Sequence, residues 1–306
     1  MSACWRVWKV VVINMNIGIT GVSGFVGQQV AAAARGNGHR VIGFSRRPQP
    51  SQACNEMRSL ATMASADFSG LDALIHLAGE PILGLWTAKK KDAIRRSRVN
   101  QTCDLVAHLK ALPQPPSVLV CASGIAYYGD AGDTVLTEAS PSGEGFLSEV
   151  SRAWEAAAAE AAPTMRVVSL RTPMVLGAEG GPAVALRRVF RLGLGGRLGS
   201  GKQWAAWVHV MDLARLYVFA CENPQLTGPV NATAPQPVTN AEFTRIIAEA
   251  IHRPAIFPVP RCILNLLPGG IAEVFLQSQR AHPAAATAAG FTWLYPDLSE
   301  VAREVF

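Results

Sequence analysis

The amino-acid sequence predicts an α/β protein built on a doubly wound, parallel β-sheet. Short apolar segments alternate along the chain with segments of helical periodicity. The first apolar segment, residues 10–19, leads directly into glycines at positions 21, 24 and 27. Short buried strands that alternate with helices are typical of parallel sheets that helices cover on both faces. We therefore expect a ligand site at the carboxyl ends of the strands.

A glycine-rich segment, TGVSGFVG at residues 20–27, joins the first predicted strand to the first predicted helix. Gly21 permits a sharp turn, Gly24 lets the backbone approach a pyrophosphate, and Gly27 lets the helix pack closely on its strand. The N–H groups and the dipole at the helix N-terminus favour phosphate. This context favours the dinucleotide site of a Rossmann-type fold over an ordinary glycine-rich turn. The predicted cofactor-binding residues here are Thr20, Gly21, Ser23, Gly24, Phe25, Val26 and Gly27.

The second predicted strand, residues 39–44, ends in a basic segment that contains Arg46 and Arg47. An acidic residue at this place would hydrogen-bond the ribose 2′-hydroxyl of NAD. Arginine instead suits the 2′-phosphate of NADP, because a guanidinium pairs with two phosphate oxygens at once. A solvated basic loop before Pro48 is the alternative. We expect NADP(H) as the cofactor.

The remaining predicted elements continue the alternation of strands and helices. A strand over residues 72–79 ends in Leu77, Ala78 and Gly79, and Pro163 ends an alanine-rich helix. Further elements are predicted at residues 89–112 (helix), 117–123 (strand), 147–162 (helix), 167–170 (strand) and 212–221 (helix).

Composition changes after residue 176, where glycine and proline become more frequent and the alternation weakens. A chain of 306 residues with 49% hydrophobic content is long enough to bury a large core. We expect an NADP-binding domain of residues 15–176 with about 207–238, and a smaller C-terminal substrate lobe of residues 177–206 with about 239–306. Met15 suggests that residues 1–14 are a non-native N-terminal extension.

Charge and cysteine usage exclude several classes of protein. The net charge is +6, but the basic residues are scattered, and the cluster at residues 89–98 reads as the solvated face of a helix. No segment resembles a nucleic-acid-binding module, so the charge is expected to attract an anionic cofactor. The six cysteines form no CxxC pair, which predicts reduced thiols in a cytoplasmic protein and no metal site. The apolar N-terminal run is too short for a membrane span.

Short sequence strings follow one another in a fixed order over the whole chain, and they are HLAGEPI (76–82), SRV (97–99), GLGG (193–196), GSGKQW (199–204), WVH (207–209), NATAP (231–235) and GF (290–291). Together with the glycine motif and with Ser123, they resemble the extended short-chain dehydrogenase/reductase superfamily. The resemblance is to its atypical "epimerase family" branch, whose members carry a C-terminal domain of unknown function. It implies an NADP(H)-binding protein in which Leu77, Ala78 and Gly79 line the ribose and nicotinamide. Ser123 matches the superfamily's active-site serine or threonine, which hydrogen-bonds a substrate oxygen.

The chain departs from the superfamily at the catalytic pair. Ordinary members carry a YxxxK motif after the serine, with tyrosine as general acid/base and lysine lowering its pKa. At the matching distance from Ser123 this chain has Phe146 and Val150, and no YxxxK occurs elsewhere. Phenylalanine transfers no proton and valine carries no charge.

Three replacements for that pair are possible, namely one of two adjacent tyrosines, Glu80, or His209 near the far edge of the expected cleft. Tyr127 and Tyr128 follow Ser123 at a strand end, where either could donate a proton or simply pack with its hydroxyl on solvent or backbone. Glu80 follows the Leu77–Gly79 strand end and could act as an acid/base or cap the next segment. The open alternatives are therefore Tyr128, Tyr127, Glu80 and His209.

Residues 193–207 form a glycine-rich segment that borders the substrate in the superfamily. His209, which follows this segment, could contact the substrate or have a purely structural role, because a lone histidine is more often structural. The predicted substrate contacts are Lys202, Gln203, Trp204, Trp207 and His209.

These observations predict an NADP(H)-binding oxidoreductase or epimerase-like protein that transfers hydride to or from a small carbonyl or sugar-derived substrate. Ser123 would orient the substrate oxygen, and Tyr128 or Glu80 would supply the proton. A retained nucleotide loop without the YxxxK pair is also typical of a non-catalytic NADP(H)-dependent sensor. The sequence leaves open whether the chain forms a homodimer.

Overall fold

The computed structural model describes residues 14–63, 66–266 and 272–306. Most of the predicted N-terminal extension lies outside the described residues. Within these ranges the strands are β1 (Asn16–Thr20), β2 (Arg40–Ser45), β3 (Glu56–Ser59), β4 (Ala73–His76), β5 (Val118–Gly124), β6 (Val135–Leu136), β7 (Arg166–Thr172), β8 (Met174–Leu176), β9 (Trp204–Ala205), β10 (Trp207–His209), β11 (Gly228–Asn231), β12 (Val238–Thr239) and β13 (Arg280–Ala281).

Helices alternate with the longer strands. The α-helices are α1 (Phe25–Gly36), α2 (Ala88–Arg95), α3 (Gln101–Ala111), α4 (Phe146–Ala159), α5 (Pro182–Arg191), α6 (Val210–Glu222), α7 (Asn240–Ile251), α8 (Arg261–Asn265), α9 (Ala272–Leu276), α10 (Ala284–Ala288) and α11 (Leu298–Val305). A π-helical turn (Arg96–Asn100) and a 3-10 helix (Ile125–Tyr128) complete the set.

A seven-stranded sheet forms the centre of the protein, with strand order β11-β7-β5-β4-β1-β2-β3 and every pair parallel. The chain winds outward from β1 in one direction to β3 and in the other to β11. The winding direction reverses between β1 and β4, where Thr20 lies opposite His76. Such a reversal opens a crevice at the carboxyl ends of the strands. The predicted doubly wound sheet is confirmed.

Two hydrophobic layers hold helices against the sheet. Ile17 of β1 packs in one layer with Val30 of α1 and residues of α6. Leu74 of β4 packs in the other layer with Leu105 of α3 and Ala158 of α4. Both sheet faces are therefore covered, which explains the apolar strands. Each valine, leucine or isoleucine side chain in these layers contributes about 1.5–3 kcal/mol when fully buried.

A third hydrophobic core lies beside the sheet, in the second half of the chain. It joins Leu176 of β8 and Trp207 of β10 to apolar faces of α5, α7 and α11. Short strand pairs frame it, with β8 parallel to β10 and β9 antiparallel to β12. A further parallel pair, β6 with β13, connects the C-terminal segment to the loop after β5.

The structure differs from the sequence-based expectation within residues 89–112. The predicted single helix is α2 and α3 joined by the π-helical turn. At this turn the Ser97 hydroxyl donates to the Ile94 carbonyl oxygen, and Arg98 donates to the Glu80 carbonyl oxygen. The bond from Arg98 connects the turn to the loop after β4, and such π-turns often occur near functional sites.

Candidate nucleotide site and the polar network beside it

The glycine-rich turn between β1 and α1 lies against the chain that follows β4. Gly21 has a φ of 73°, and a Cβ there would lie 2.9 Å from the Ala78 nitrogen. The Gly24 N–H donates to the Gly21 carbonyl oxygen at 3.0 Å. A Cβ on Gly27 would overlap that same carbonyl oxygen. Larger side chains at positions 21 and 27 would therefore separate the turn from its surroundings.

The N-terminus of α1 is open to a ligand. Gly24 is the N-cap residue, no side chain caps the helix, and no acidic residue lies in its first turn. Ser23 and Gly24 are exposed and Val26 is half-buried. The first N–H groups of a helix lack partners within the helix, so this end suits a phosphate group.

Phe25, the first residue of α1, has a different environment. Its ring packs against the chain after β8, where a Cβ on Gly177 would lie 2.7 Å from Phe25 Cζ. A Cβ on Gly180 would also overlap this ring. The side chain of Phe25 thus joins the glycine turn to the start of the C-terminal half, and only its backbone remains for a phosphate.

The end of β4 is tied to the end of β1. The Thr20 hydroxyl lies 2.7 Å from His76 Nδ1, and the Ala78 N–H donates to Thr20 Oγ1 at 3.4 Å. The Leu77 N–H donates to the Thr20 carbonyl oxygen at 3.2 Å. Both Thr20 and His76 are fully buried, and burial lowers the pKa of His76 to about 4, so the ring is neutral. Gly79, two residues beyond Leu77, is exposed.

Arg46 and Arg47 lie just beyond the carboxyl end of β2. Because Thr20 pairs with Phe44 in the sheet, this end is next to the glycine turn. Both arginines are exposed, and neither has an ion pair with any residue in the described part of the chain. Their guanidinium groups are therefore free to meet a phosphate.

Three neighbouring strands place polar side chains in one row at the carboxyl edge of the sheet. Ser123 of β5 lies opposite Arg171 of β7, which lies opposite Asn231 of β11. Glu155 of α4 connects to this row: the Ser123 hydroxyl donates to its carboxylate at 2.6 Å. Arg171 donates to both Glu155 oxygens at 2.8 Å, with only 3% of its side chain exposed. The result is a buried, bidentate ion pair beside Ser123.

Tyr128 belongs to the same network and is 2% exposed. Its hydroxyl accepts from Arg171 at 2.7 Å and lies 2.8 Å from two acceptors, the Thr137 carbonyl oxygen and Asn231 Oδ1. Burial raises the pKa of Tyr128, although the nearby Arg171 opposes this shift. The hydroxyl is therefore occupied by protein partners.

Tyr127 has a more accessible position than Tyr128. Its ring is half-buried and lies 3.5 Å from the guanidinium carbon of Arg171, a close cation–π contact. Its hydroxyl has no hydrogen bond to the residues that the structure describes. Of the two tyrosines, Tyr127 is the one whose hydroxyl is available to a ligand.

Glu80 anchors the loop after β4. Its carboxylate accepts from Lys90 Nζ at 2.7 Å, and its N–H donates to Ser97 Oγ at 2.9 Å. Its carbonyl oxygen accepts from Arg98. Burial lowers the pKa of Arg98 to about 10, and the nearby Glu80 charge opposes this shift. The carboxylate is thus part of a polar cluster with the π-helical turn.

The positions that would hold the YxxxK pair serve packing. Phe146 begins α4 and its ring contacts Trp86 edge-on, with ring centroids 5.5 Å apart. Val150 is buried in the same helix. The acid that reaches Ser123 from α4 is instead Glu155, which the sequence analysis did not single out. No local pattern marks Glu155, because its partners Ser123 and Arg171 lie on other elements of the chain.

Three of the predicted substrate contacts lie in the glycine-rich segment of residues 193–207 and are exposed or half-buried. Lys202 is exposed, and Gln203 donates from its amide to the Leu198 carbonyl oxygen at 2.9 Å. Trp204 is half-buried, and its indole N–H donates to Asp133 at 2.9 Å. These residues lie at the surface of the segment.

Trp207 and His209 are buried. Trp207 is 1% exposed and donates to the Gln236 carbonyl oxygen at 3.1 Å. His209 caps α6 by accepting from the Met211 N–H, and its ring centroid lies 3.9 Å from that of Tyr295. Burial lowers the pKa of His209. These contacts account for both side chains as parts of the third core and of a helix cap.

The described ranges hold neither a metal-binding cluster nor a membrane-spanning helix. No group of three or more histidine, cysteine, aspartate or glutamate residues is arranged there to hold a metal ion. None of the helices described is both long and apolar enough to cross a membrane. The five described cysteines are free thiols.

A parallel sheet with a glycine turn, an uncapped helix N-terminus and a crevice at the reversal of strand order defines a Rossmann-type dinucleotide-binding fold. Comparison with protein families agrees. The chain belongs to the NAD dependent epimerase/dehydratase family, whose model matches residues 17–232. Residues 259–305 match a second model, a domain of unknown function (DUF1731).

Individual relatives cover almost the whole chain. The chain is similar to "Epimerase family protein SDR39U1" of Bos taurus, with 35% identity over 300 residues, 95% of this chain and 99% of that protein. It is also similar to the chloroplastic SDR39U1 homolog of Arabidopsis thaliana, with 33% identity over 301 residues, 95% of this chain and 87% of that protein. Among solved structures, human SDR39U1 (isoform 2) with NADPH superposes with a TM-score of 0.88, 32% identity, and coverage of 95% and 99% of the two chains.

Proposed function

We propose that the protein binds NADP(H) and transfers hydride between C4 of the nicotinamide and a carbon of a small carbonyl or sugar-derived substrate. The observation that carries the proposal is the open N-terminus of α1 beside the unpaired Arg46 and Arg47. The human relative crystallised with NADPH supports the choice of cofactor. A cytoplasmic location stays a prediction from the free cysteines.

Each part of the nucleotide has residues that suit it. The uncapped N-terminus of α1 would bind the pyrophosphate, and the close backbone contacts at Gly21 and Gly27 hold the glycine turn in place for it. Arg46 and Arg47 would bind the 2′-phosphate, and residues 77–79 would line the ribose and nicotinamide. When bound, the nicotinamide supplies or accepts the hydride. We propose that residues 177–206 and 239–306 form the substrate side.

Proton transfer would fall to Tyr127 in this proposal. The buried Tyr128 hydroxyl is held by Arg171, whereas the Tyr127 hydroxyl is free of described partners. Arg171 would fix the Tyr127 ring from one face. Ser123, whose O–H already donates to Glu155, would orient a substrate hydroxyl, which would donate to the lone pairs that this bond leaves free.

A binding titration tests the cofactor. We expect wild-type protein to bind NADPH more tightly than NADH. Replacing both Arg46 and Arg47 by alanine should weaken NADPH binding about tenfold or more and leave NADH binding nearly unchanged, because two charge-assisted contacts are lost. Arg40→Ala, at the opposite end of the same strand, is the matched control. If the double variant bound NADPH as tightly as the wild-type protein does, the assignment of Arg46 and Arg47 to the 2′-phosphate would be refuted.

A labelling experiment tests turnover. Protein is incubated with NADPH deuterated at the transferable C4 position and with metabolite extract, and mass spectrometry follows the label. A deuterated metabolite that Tyr127→Phe protein fails to produce would support the proposal. Gly24→Trp protein, which should not bind NADPH, is the control.

A non-catalytic NADP(H) sensor is the second candidate function. The observation that favours it is that the hydroxyl groups of Ser123 and Tyr128 are both hydrogen-bonded to other side chains of the protein. Saturable NADPH binding with no labelled or isomerised metabolite would support the sensor over the enzyme.

A further inference from the structure

Arg280 lies in β13, a strand that the surrounding loops hold firmly in place. The preceding residue, Gln279, donates its N–H to the Trp204 carbonyl oxygen at 3.0 Å. Ser278 donates its N–H to Asp130 at 3.0 Å and its hydroxyl to the Gly132 carbonyl oxygen at 2.6 Å. The backbone of Arg280 is therefore fixed between the loop after β5 and the predicted substrate segment.

The guanidinium group of Arg280 has no partner for its charge among the residues described. Its Nε atom is buried without a hydrogen-bond partner. Its guanidinium carbon lies 4.4 Å from the ring centroid of Trp204, so the group is stacked on an aromatic face.

Two acids of the loop after β5 accept hydrogen bonds from other groups. Asp133 accepts the indole N–H of Trp204, and Asp130 accepts the backbone N–H groups of Gly132 and Ser278. Neither carboxylate forms an ion pair with Arg280 within the described ranges. An unpaired buried N–H in a cation is costly, and an oxyanion in the plane of the guanidinium would satisfy it.

The strand that carries this unpaired cation borders the proposed active site. Ala281, the next residue, is fully buried in one cluster with Tyr128, and Tyr127 packs against that cluster. Successive side chains of a strand point to opposite faces, so Arg280 lies on the other face of β13, over Trp204. Trp204 is one of the predicted substrate contacts.

We infer that Arg280, stacked on Trp204, binds a carboxylate or phosphate group of the substrate, which makes the substrate a small anionic carbonyl compound. This inference rests on the proposed function, because it assigns the ligand of that same site. Trp204 holds the planar guanidinium in one orientation, which fixes the direction in which its N–H groups would meet an anion. A neutral substrate would leave the Arg280 charge and its buried Nε–H unsatisfied.

Nuclear magnetic resonance of protein labelled with ¹⁵N-arginine tests the inference directly. The Nε–H signal of Arg280 is identified by its loss in Arg280→Gln protein. Sodium phosphate and sodium acetate are titrated separately, with sodium chloride at equal ionic strength as the control. We expect this signal to shift saturably with phosphate or with acetate but not with chloride, and the stronger response identifies the anion.

Variants give the size of the effect, and anion binding is measured on all of them by isothermal titration calorimetry because the Arg280 variants lack the Arg280 signal. In wild-type protein the anion should bind about tenfold or more tightly than in Arg280→Gln protein, because a bidentate charged contact is lost. Arg280→Lys keeps the charge without the planar fork and should show intermediate affinity. Arg253→Gln, which removes an exposed arginine elsewhere, should bind as wild type does. If Arg280→Gln protein does not fold, Arg280→Lys identifies the signal instead.

The same samples separate this inference from the proposed function. NADPH binding is measured on each of them by nucleotide fluorescence. If NADPH binds normally but the Arg280 signal shifts with neither phosphate nor acetate, or shifts equally with chloride, the inference about Arg280 is overturned and the proposed function is not. An Arg280-dependent anion response in protein that does not bind NADPH would overturn the proposed function alone.

Discussion

The ion pair between Glu155 and Arg171 should dominate the stability of the carboxyl edge of the sheet. The Arg171 side chain is 3% exposed and that of Glu155 is 14% exposed, and two hydrogen bonds of 2.8 Å join them. Removing one partner of such a pair costs about 3–5 kcal/mol, because the other charge stays buried and unpaired. For Glu155→Gln we expect a loss of about 3 kcal/mol, at the lower end because Glu155 retains some contact with water.

A double-mutant cycle separates this charge effect from loss of packing. Arg171→Met alone should cost a similar amount, since it leaves the Glu155 carboxylate and the Tyr128 hydroxyl without their donor. In the double variant no charge remains unpaired, so we expect a coupling energy of about 2 kcal/mol or more.

Urea unfolding at fixed pH and ionic strength measures these free energies. Glu249→Gln in the exposed pair Arg245–Glu249 is the matched control and should change stability by less than about 0.5 kcal/mol. Single-variant losses that add to within about 0.5 kcal/mol in the double variant would refute the reasoning.

Three further perturbations address the site. Gly27→Ala should abolish NADPH binding in a fluorescence titration, because the new Cβ overlaps the Gly21 carbonyl oxygen; unchanged affinity would contradict the glycine-turn assignment. Tyr127→Phe should abolish label transfer and leave the urea midpoint of unfolding near the wild-type value. Tyr128→Phe should lower the free energy of unfolding by about 1–3 kcal/mol, because it leaves buried partners unpaired. The reverse pattern would assign proton transfer to Tyr128. His76 has a folded-state pKa of about 4 against 6.5 unfolded, so stability should fall by about 3 kcal/mol as the pH drops from 6.5 to 4 and level off below that. His76→Asn protein should lack this contribution, and an unchanged pH profile would show that another group is responsible.

The central fold was accessible from the sequence because local patterns encode it. The apolar strands and the glycines at positions 21, 24 and 27 specify β1, α1 and the turn between them. The edge strands β3 and β11 escaped detection. EMRS has little apolar character, and GPVN contains a proline that is tolerated at a sheet edge.

The polar network could not be read from the sequence because its members come from separate elements. Glu155 lies in a helix whose pattern marks only the apolar face, and it meets Arg171 only after α4 packs on the sheet. Sequence position could not separate Tyr127 from Tyr128 either. The difference lies in the 3-10 helix, which turns one ring into the core and leaves the other against the face of Arg171.

The contact between the glycine turn and the chain after β4 links nucleotide affinity to the folding of distant segments. Gly21 lies so close to Ala78 that a side chain at position 21 would not fit between them. A hydrogen bond between Thr20 and His76, which are 56 residues apart in the chain, joins the same two segments. A ligand held by this turn therefore binds the assembled sheet and not the unfolded chain. At a hundredfold excess over its dissociation constant, such a ligand adds about 2.7 kcal/mol to the free energy of unfolding. The lifetime of the folded protein would then follow the supply of its nucleotide.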